Sequence, residues 1–129
     1  MTRGLNKVMI IGNLGQDPEM RYTPSGRPLT KFRVATNRSW TAENGEKQTE
    51  TEWFNVVAWE RLAEISKERF TKGSRVYVEG RLQSHNWEDS EGKQHKSIEI
   101  VARDILLLSE RKAENGSNDS DEDDEVYPF

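Results

Sequence analysis

Apolar residues along this chain fall into five short runs with the alternation of half-buried strands, and one stretch of helical spacing separates the third run from the fourth. Residues 6–14 make the first strand. Val8-Met9-Ile10-Ile11 is almost continuously apolar there, and Gly12 marks a bend or bulge. Asp17-Pro18 and Pro24-Ser25-Gly26 read as loops. Residues 29–36 make a second strand with Phe32 and Val34 on one face and Lys31 and Arg33 on the other. Asn44-Gly45 is a hairpin signal leading to the third strand, 51–59. In that strand Phe54, Val56 and Ala58 alternate with Trp53, Asn55, Val57 and Trp59, so both faces carry apolar groups. Leu62, Ile65, Ser66, Arg69 and Phe70 recur at helical spacing over 61–70, with Gly73 as the C-terminal stop. Residues 75–82 make the fourth strand, with Val76, Val78 and Leu82 inward and Arg75, Tyr77, Glu79 and Arg81 outward. Asp89-Ser90-Glu91-Gly92 turns the chain into a fifth strand, 97–108, with a Leu-rich end.

This order, three strands, a helix and two strands, predicts an all-β domain with one short helix. Short antiparallel strands joined by hairpins favour a small closed barrel, and the order matches the five-stranded Greek-key barrel of the OB-fold. An open sheet with one covering helix gives the same string of elements. From Ser109 onward the apolar pattern stops, which divides the chain into a domain over 1–110 and a disordered acidic C-terminal tail over 111–129.

Charge sharpens that division. The chain of 129 residues has a net charge of −4. All 19 Lys and Arg lie within residues 1–112 beside 16 Asp and Glu, a net of +3, whereas 113–129 carries seven acidic residues and no basic one. A weakly basic body suits a polyanion, and a strongly acidic end suits a basic surface. The tip, Asp121-Glu122-Asp123-Asp124-Glu125-Val126-Tyr127-Pro128-Phe129, joins carboxylates to an apolar anchor. Such a string makes a ligand: carboxylates meet a basic surface, the Phe129 ring fills a pocket, and the α-carboxylate bonds a cation.

Other classes have little support. Without cysteine there are no disulfides or thiolate metal sites. No apolar run approaches the ~18 residues of a membrane span, and the N-terminal residues lack the features of a signal or transit peptide, so the expected location is cytoplasmic. Glu50 with Glu52, or Asp17 with Glu19, are the only carboxylate pairs that invite a metal-assisted hydrolase reading, and neither has a nearby His. His85 and His95 flank one hairpin but lack a third ligand, so they read as exposed hairpin residues. No Gly-rich phosphate loop is present. The expectation is a non-enzymatic protein without metal or cofactor.

The four tryptophans carry the positive signal. Trp53 and Trp59 share strand parity opposite the core positions Phe54, Val56 and Ala58, which puts two indoles on the outer face. Trp40 begins one hairpin loop beside Arg38, and Trp87 lies in the other hairpin near Lys93 and Lys96. Exposed aromatics interleaved with cations are what single-stranded nucleic acid needs: bases stack on flat rings at about 1–3 kcal/mol each, and Lys and Arg follow the phosphates. Candidate cations are Arg3, Lys7, Arg21, Lys31, Arg33, Arg38, Lys72, Arg75 and Arg81. Nothing in the strands reads a 2′-hydroxyl, so an RNA-binding barrel is the alternative.

Met1-Thr2-Arg3-Gly4-Leu5-Asn6-Lys7-Val8, Gly12-Asn13-Leu14-Gly15-Gln16-Asp17-Pro18-Glu19, Arg21-Tyr22, Phe32-Arg33-Val34-Ala35-Thr36-Asn37, Thr51-Glu52-Trp53-Phe54-Asn55-Val56-Val57 and Lys72-Gly73-Ser74-Arg75-Val76-Tyr77-Val78-Glu79-Gly80-Arg81-Leu82 together resemble the bacterial single-stranded DNA-binding proteins. The resemblance covers about residues 1–108 and resumes at the Pro-Phe tip. It implies an OB-fold, a homotetramer, and sequence-independent binding of single-stranded DNA in a nucleoid-associated, cytoplasmic setting. It also implies an acidic tip that recruits replication, recombination and repair proteins, carried here by Asp123, Asp124, Glu125, Pro128 and Phe129. By position, Trp40, Trp53, Trp59 and Trp87 fall on base-stacking aromatics, and Arg3, Arg21, Arg33, Lys72 and Arg81 on backbone-following cations. The chain departs from the family pattern at Trp59, often Phe in relatives, at Phe54, a His in some, at Tyr127, usually aliphatic, and in a very short linker.

Overall fold

The computed structural model describes residues 2–109. The expected disordered tail, and with it the recruiting residues Asp123 to Phe129, lies outside the described residues. The elements are β1 (Val8–Leu14), β2 (Glu19–Tyr22), β3 (Pro28–Thr41), β4 (Lys47–Trp59), α1 (Glu60–Arg69), β5 (Arg75–Glu88) and β6 (Gln94–Leu107). The sheet runs β1-β5-β6-β4-β3-β2, and β1 also pairs with β3. That last pairing, Asn13 opposite Ala35 and Leu14 opposite Val34, closes β1, β3, β4, β6 and β5 into a five-stranded barrel with β2 laid on its outside edge. β4 and β6 run parallel and the other pairs antiparallel, so the closed OB-fold expected from the element order is the one formed.

Closure depends on Gly12. A Cβ there would meet the Ala35 carbonyl oxygen at 2.2 Å and Val34 Cγ1 at 2.8 Å, so only glycine lets β1, still paired with β5, also come up against β3. The irregularity predicted at Gly12 takes this form, while the register shift itself falls between Glu79 and Gly80 on β5. Inside, Phe32, Val34, Val56, Ala58, Val76 and Val78 are buried as their alternation predicts, Ile100 joins them from β6, and Phe54 is only partly buried against this core. The helix plugs one end of the barrel. Ala63, Ser66 and Phe70 face in, Phe70 meets Phe32 edge-on at 6.0 Å, and the buried Thr30 hydroxyl donates to the Ala63 carbonyl at 2.8 Å. Acidic Glu60 in the first turn and basic Lys67 and Arg69 in the last suit the helix dipole.

Three expectations need correction. Gly73 does not end the helix: Phe70 caps it, and Gly73 sits in the following turn, where the Ser74 N–H bonds the Thr71 carbonyl. Leu82 does not face the core. It is 43% exposed, because β5 has by then passed the register shift and left the barrel, and no second layer covers it. Trp40 and Trp87 are not loop residues. β3–β4 and β5–β6 continue as two-stranded arms well beyond the barrel, and both indoles stand on these arms.

Candidate nucleic-acid interface

Strand pairing decides which side chains share a surface, because opposed residues point to the same side of a sheet. Trp53 pairs with Ala35, Asn55 with Arg33, Val57 with Lys31 and Trp59 with Leu29. Across the parallel ladder Asn55 adjoins Glu99 and Val57 adjoins Val101. Val101 in turn faces Arg81, and His95 faces Trp87. On the other edge Arg21 faces Leu29. The outer face of β2, β3, β4, β6 and β5 is therefore one continuous surface that holds Trp53, Trp59 and Trp87 together with Arg21, Arg33 and Arg81.

The remaining expected residues are placed differently. Trp40 has the parity of Phe32 and Val34, so it stands on the opposite side of the β3–β4 arm from Trp53, with Arg38 beside it. Lys72 lies in the turn after the helix, where its backbone N–H bonds Asp17 Oδ1 at 2.8 Å. Arg3 is exposed in the segment before β1. Asn6 anchors that segment to the root of the β5–β6 arm through paired 2.9 Å bonds with the Leu82 backbone. Arg75 is only partly exposed and reaches Asn13 Oδ1 at 3.3 Å, a contact within the barrel that sets it apart from the face of Trp53 and Trp59.

Arginines cover three of the indoles. The Arg33 guanidinium lies 4.5 Å from the Trp53 ring centroid, Arg27 4.4 Å from Trp59 and Arg38 4.5 Å from Trp40. Arg27 and Arg38 are also ion-paired, to Glu60 at 2.6 Å and Glu50 at 2.8 Å. An exposed cation–π contact is worth about 0.5–1 kcal/mol and an exposed ion pair about 0–1 kcal/mol. Stacking of a base on an indole is worth about 1–3 kcal/mol, the same order as these contacts together, so the arginines do not lock the indole faces against a flat ligand. Trp53 is 44% exposed and its indole lies against the backbone of Gly15. Between the indoles a shallow groove has buried Val57 at its floor and the Lys31–Glu99 pair, 3.9 Å, at its side.

Sequence reasoning missed Arg27 as a partner of Trp59. Its position becomes visible only once β2 is known to fold back on β3, and β2 has four residues and no clear alternation. His95, read as a solvated hairpin residue, is stacked on Trp87 at 4.3 Å between centroids.

The Single-strand binding protein family matches residues 5–108, nearly the whole of the described structure. The chain belongs to this family. It is a family of non-catalytic proteins, so the hydrolase reading of Glu50 and Glu52, or of Asp17 and Glu19, falls. Among relatives, the chain is 43% identical over 121 residues to single-stranded DNA-binding protein 1 of Chlorobaculum tepidum, covering 93% of this chain and 75% of that one. It is 41% identical over 112 residues to a single-stranded DNA-binding protein of Neisseria meningitidis, covering 87% of this chain but only 64% of the relative. A solved structure of a Plasmodium falciparum SSB in complex with single-stranded DNA superposes with a TM-score of 0.78 at 28% identity, covering 84% of this chain and 99% of that one. Among the described residues no helix is long and apolar enough to cross a membrane.

Proposed function

We propose that this chain binds and protects single-stranded DNA without strong sequence preference, in the settings of replication, recombination and repair. One observation carries the reading: Trp53, Trp59 and Trp87 share a single outer surface with Arg21, Arg33 and Arg81. Stacking on an indole tolerates any base, and the cations neutralise the backbone that links successive bases. The family membership and the DNA complex of the Plasmodium relative support the same conclusion. Residues 1–110 are the binding domain, and Arg3 and Lys72 extend its cationic track. The protein works in the cytoplasm, on the nucleoid. Titration with poly(dT) is expected to quench the intrinsic tryptophan emission strongly, with a break point that gives the stoichiometry. Poly(U) should compete poorly; equal competition would make the RNA-binding reading the better one, and unchanged emission with poly(dT) would end the proposal.

The acidic residues 111–129 are the recruiting segment. Asp123, Asp124 and Glu125 meet a basic partner surface, and Pro128 and Phe129 provide an apolar anchor.

The working unit is a homotetramer. On the outer face of β1, β5 and β6, away from the indoles, Met9 is 60% and Leu106 52% exposed beside Ile11 and Tyr77. Met9, Ile11, Tyr77, Thr36 and Phe54 also line an apolar depression. Exposed apolar surface of this kind is what subunit contacts cover. At its edge the Tyr77 hydroxyl donates to Glu79 Oε1 at 2.8 Å. That bond raises the Tyr77 phenol above its ordinary value and lowers the Glu79 carboxyl, helped by Lys7 and Arg103 and opposed by partial desolvation. Light scattering at micromolar concentration should report about four times the 14.9 kDa chain mass; a monomer at that mass would overturn the assembly.

A further inference from the structure

Trp87 differs from the other three indoles in what covers it. Trp87 and His95 stand opposite each other on the β5–β6 arm. Their rings lie nearly parallel, with centroids 4.3 Å apart and planes 15° from each other. His95 Nε2 is 2.8 Å from Asp89 Oδ2. The second oxygen of that carboxylate accepts the backbone N–H groups of Glu91 and Lys93, each at 2.9 Å. Two further bonds close the same turn at 3.0 Å, Asp89 N–H to the Lys93 carbonyl and Gly92 N–H to the Asp89 carbonyl. A continuous set of contacts thus runs from the turn backbone through Asp89 to His95 and on to Trp87. The His95 bond, and after it the Lys93 N–H, hold the Asp89 carboxyl below its ordinary value, so it remains an ionised acceptor at neutral pH. The arginines over Trp40, Trp53 and Trp59 are long and carry their charge on a mobile stem, whereas this imidazole is short, flat and tethered at its far edge. Trp87 is still 46% exposed, which leaves its other face free.

We propose that His95 is a positioning residue for Trp87: anchored by Asp89, its ring backs one face of the indole and fixes the orientation in which the opposite face receives a base. This rests on the reading of Trp87 as a base-stacking residue. An indole on a two-stranded arm has no second layer to hold its side-chain torsions. Ordering it only when DNA arrives costs affinity by a factor of about 2–10, the usual penalty for immobilising a large side chain. The backing ring removes that penalty in advance.

A double-mutant cycle read by oligo(dT) binding tests the idea, with thermal melts confirming that each variant folds. His95→Ala should weaken binding about 2- to 10-fold while Trp87 is present, and should change nothing in a Trp87→Ala background. His95→Phe keeps a flat ring but loses the Asp89 bond, so it should bind more tightly than His95→Ala and less tightly than the unmodified chain. In a chain whose other three tryptophans are phenylalanine, His95→Ala should make Trp87 emission more accessible to acrylamide before any DNA is added, as removal of a ring stacked on it requires. Equal losses with and without Trp87 would show that His95 touches the DNA itself and overturn the positioning role. So would unchanged affinity of His95→Ala while Trp87→Ala binds weakly. If Trp87→Ala itself binds normally, it is the stacking role of Trp87 that fails, and the role of His95 goes with it.

Discussion

Replacing Trp53 and Trp59 by alanine together should weaken poly(dT) binding by about 2–6 kcal/mol per domain, on the scale of 1–3 kcal/mol per stacked base. The two effects should add. The residues are six positions apart on one strand, about 20 Å at the rise of extended chain, and that exceeds the ~7–10 Å within which substitutions normally couple. The fold should survive, but not identically for the two. Trp53 is 44% exposed, so its loss should leave the thermal transition almost unmoved. Trp59 is half-buried and sits under Arg27, itself paired with Glu60, so Trp59→Ala should lower the transition by a few degrees, as about 1 kcal/mol does for a domain of this size. Phenylalanine at both positions keeps a stacking face and should restore much of the affinity. Titrations of the three variants beside their melting curves separate the roles: an unfolded double variant, or a folded one with unchanged affinity, would show that the indoles are structural.

How far the sequence disclosed this arrangement depends on where each residue finds its neighbours. Val34, Val56, Val76 and Val78 were legible because a barrel wall buries every second side chain, and that leaves a period of two in the sequence. Trp53 and Trp59 were placed outside by the same parity. The arms left no such trace. Apart from Trp40 and Trp87, the residues of Asn37 to Thr41, Lys47 to Glu52 and Gln83 to Glu88 are polar on both faces, because no second layer packs on a two-stranded ribbon. They are held instead by ladder bonds and by pairs such as Arg38–Glu50 and Thr51–Asn37. Leu82 misled for the converse reason: it continues the inward parity past the point where there is still an inside. That Arg21 and Arg81 lie on one surface with the indoles could not be read from spacing at all. It follows from the parallel pairing of β4 with β6, segments remote in sequence, and from the return of β2 onto β3, a short hairpin without clear alternation.

Removing residues 113–129 and replacing Phe129 alone should have opposite signatures, because one change alters charge and the other does not. The segment carries seven negative charges beside a body of net +3, so it should compete with DNA for the cationic face. Truncation after Lys112 should therefore tighten poly(dT) binding at low salt. The gain should shrink toward 0.15 M salt, where the screening length is about 8 Å. Phe129→Ala leaves every carboxylate in place, so its DNA affinity should stay within about twofold of the unmodified chain on the same electrostatic ground. Its effect belongs to recognition. An aromatic anchor seated in a partner pocket is worth about 2 kcal/mol or more, a loss of roughly 30-fold in partner affinity when it is cut back to alanine. Recovery of replication and repair proteins on the immobilised variant should fall accordingly, and Asp123, Asp124 and Glu125 should tune it in a salt-dependent way. Equal recovery by the Phe129→Ala and unmodified chains would reduce the segment to a solubilising and charge-competing tail, with partner binding located elsewhere on the domain.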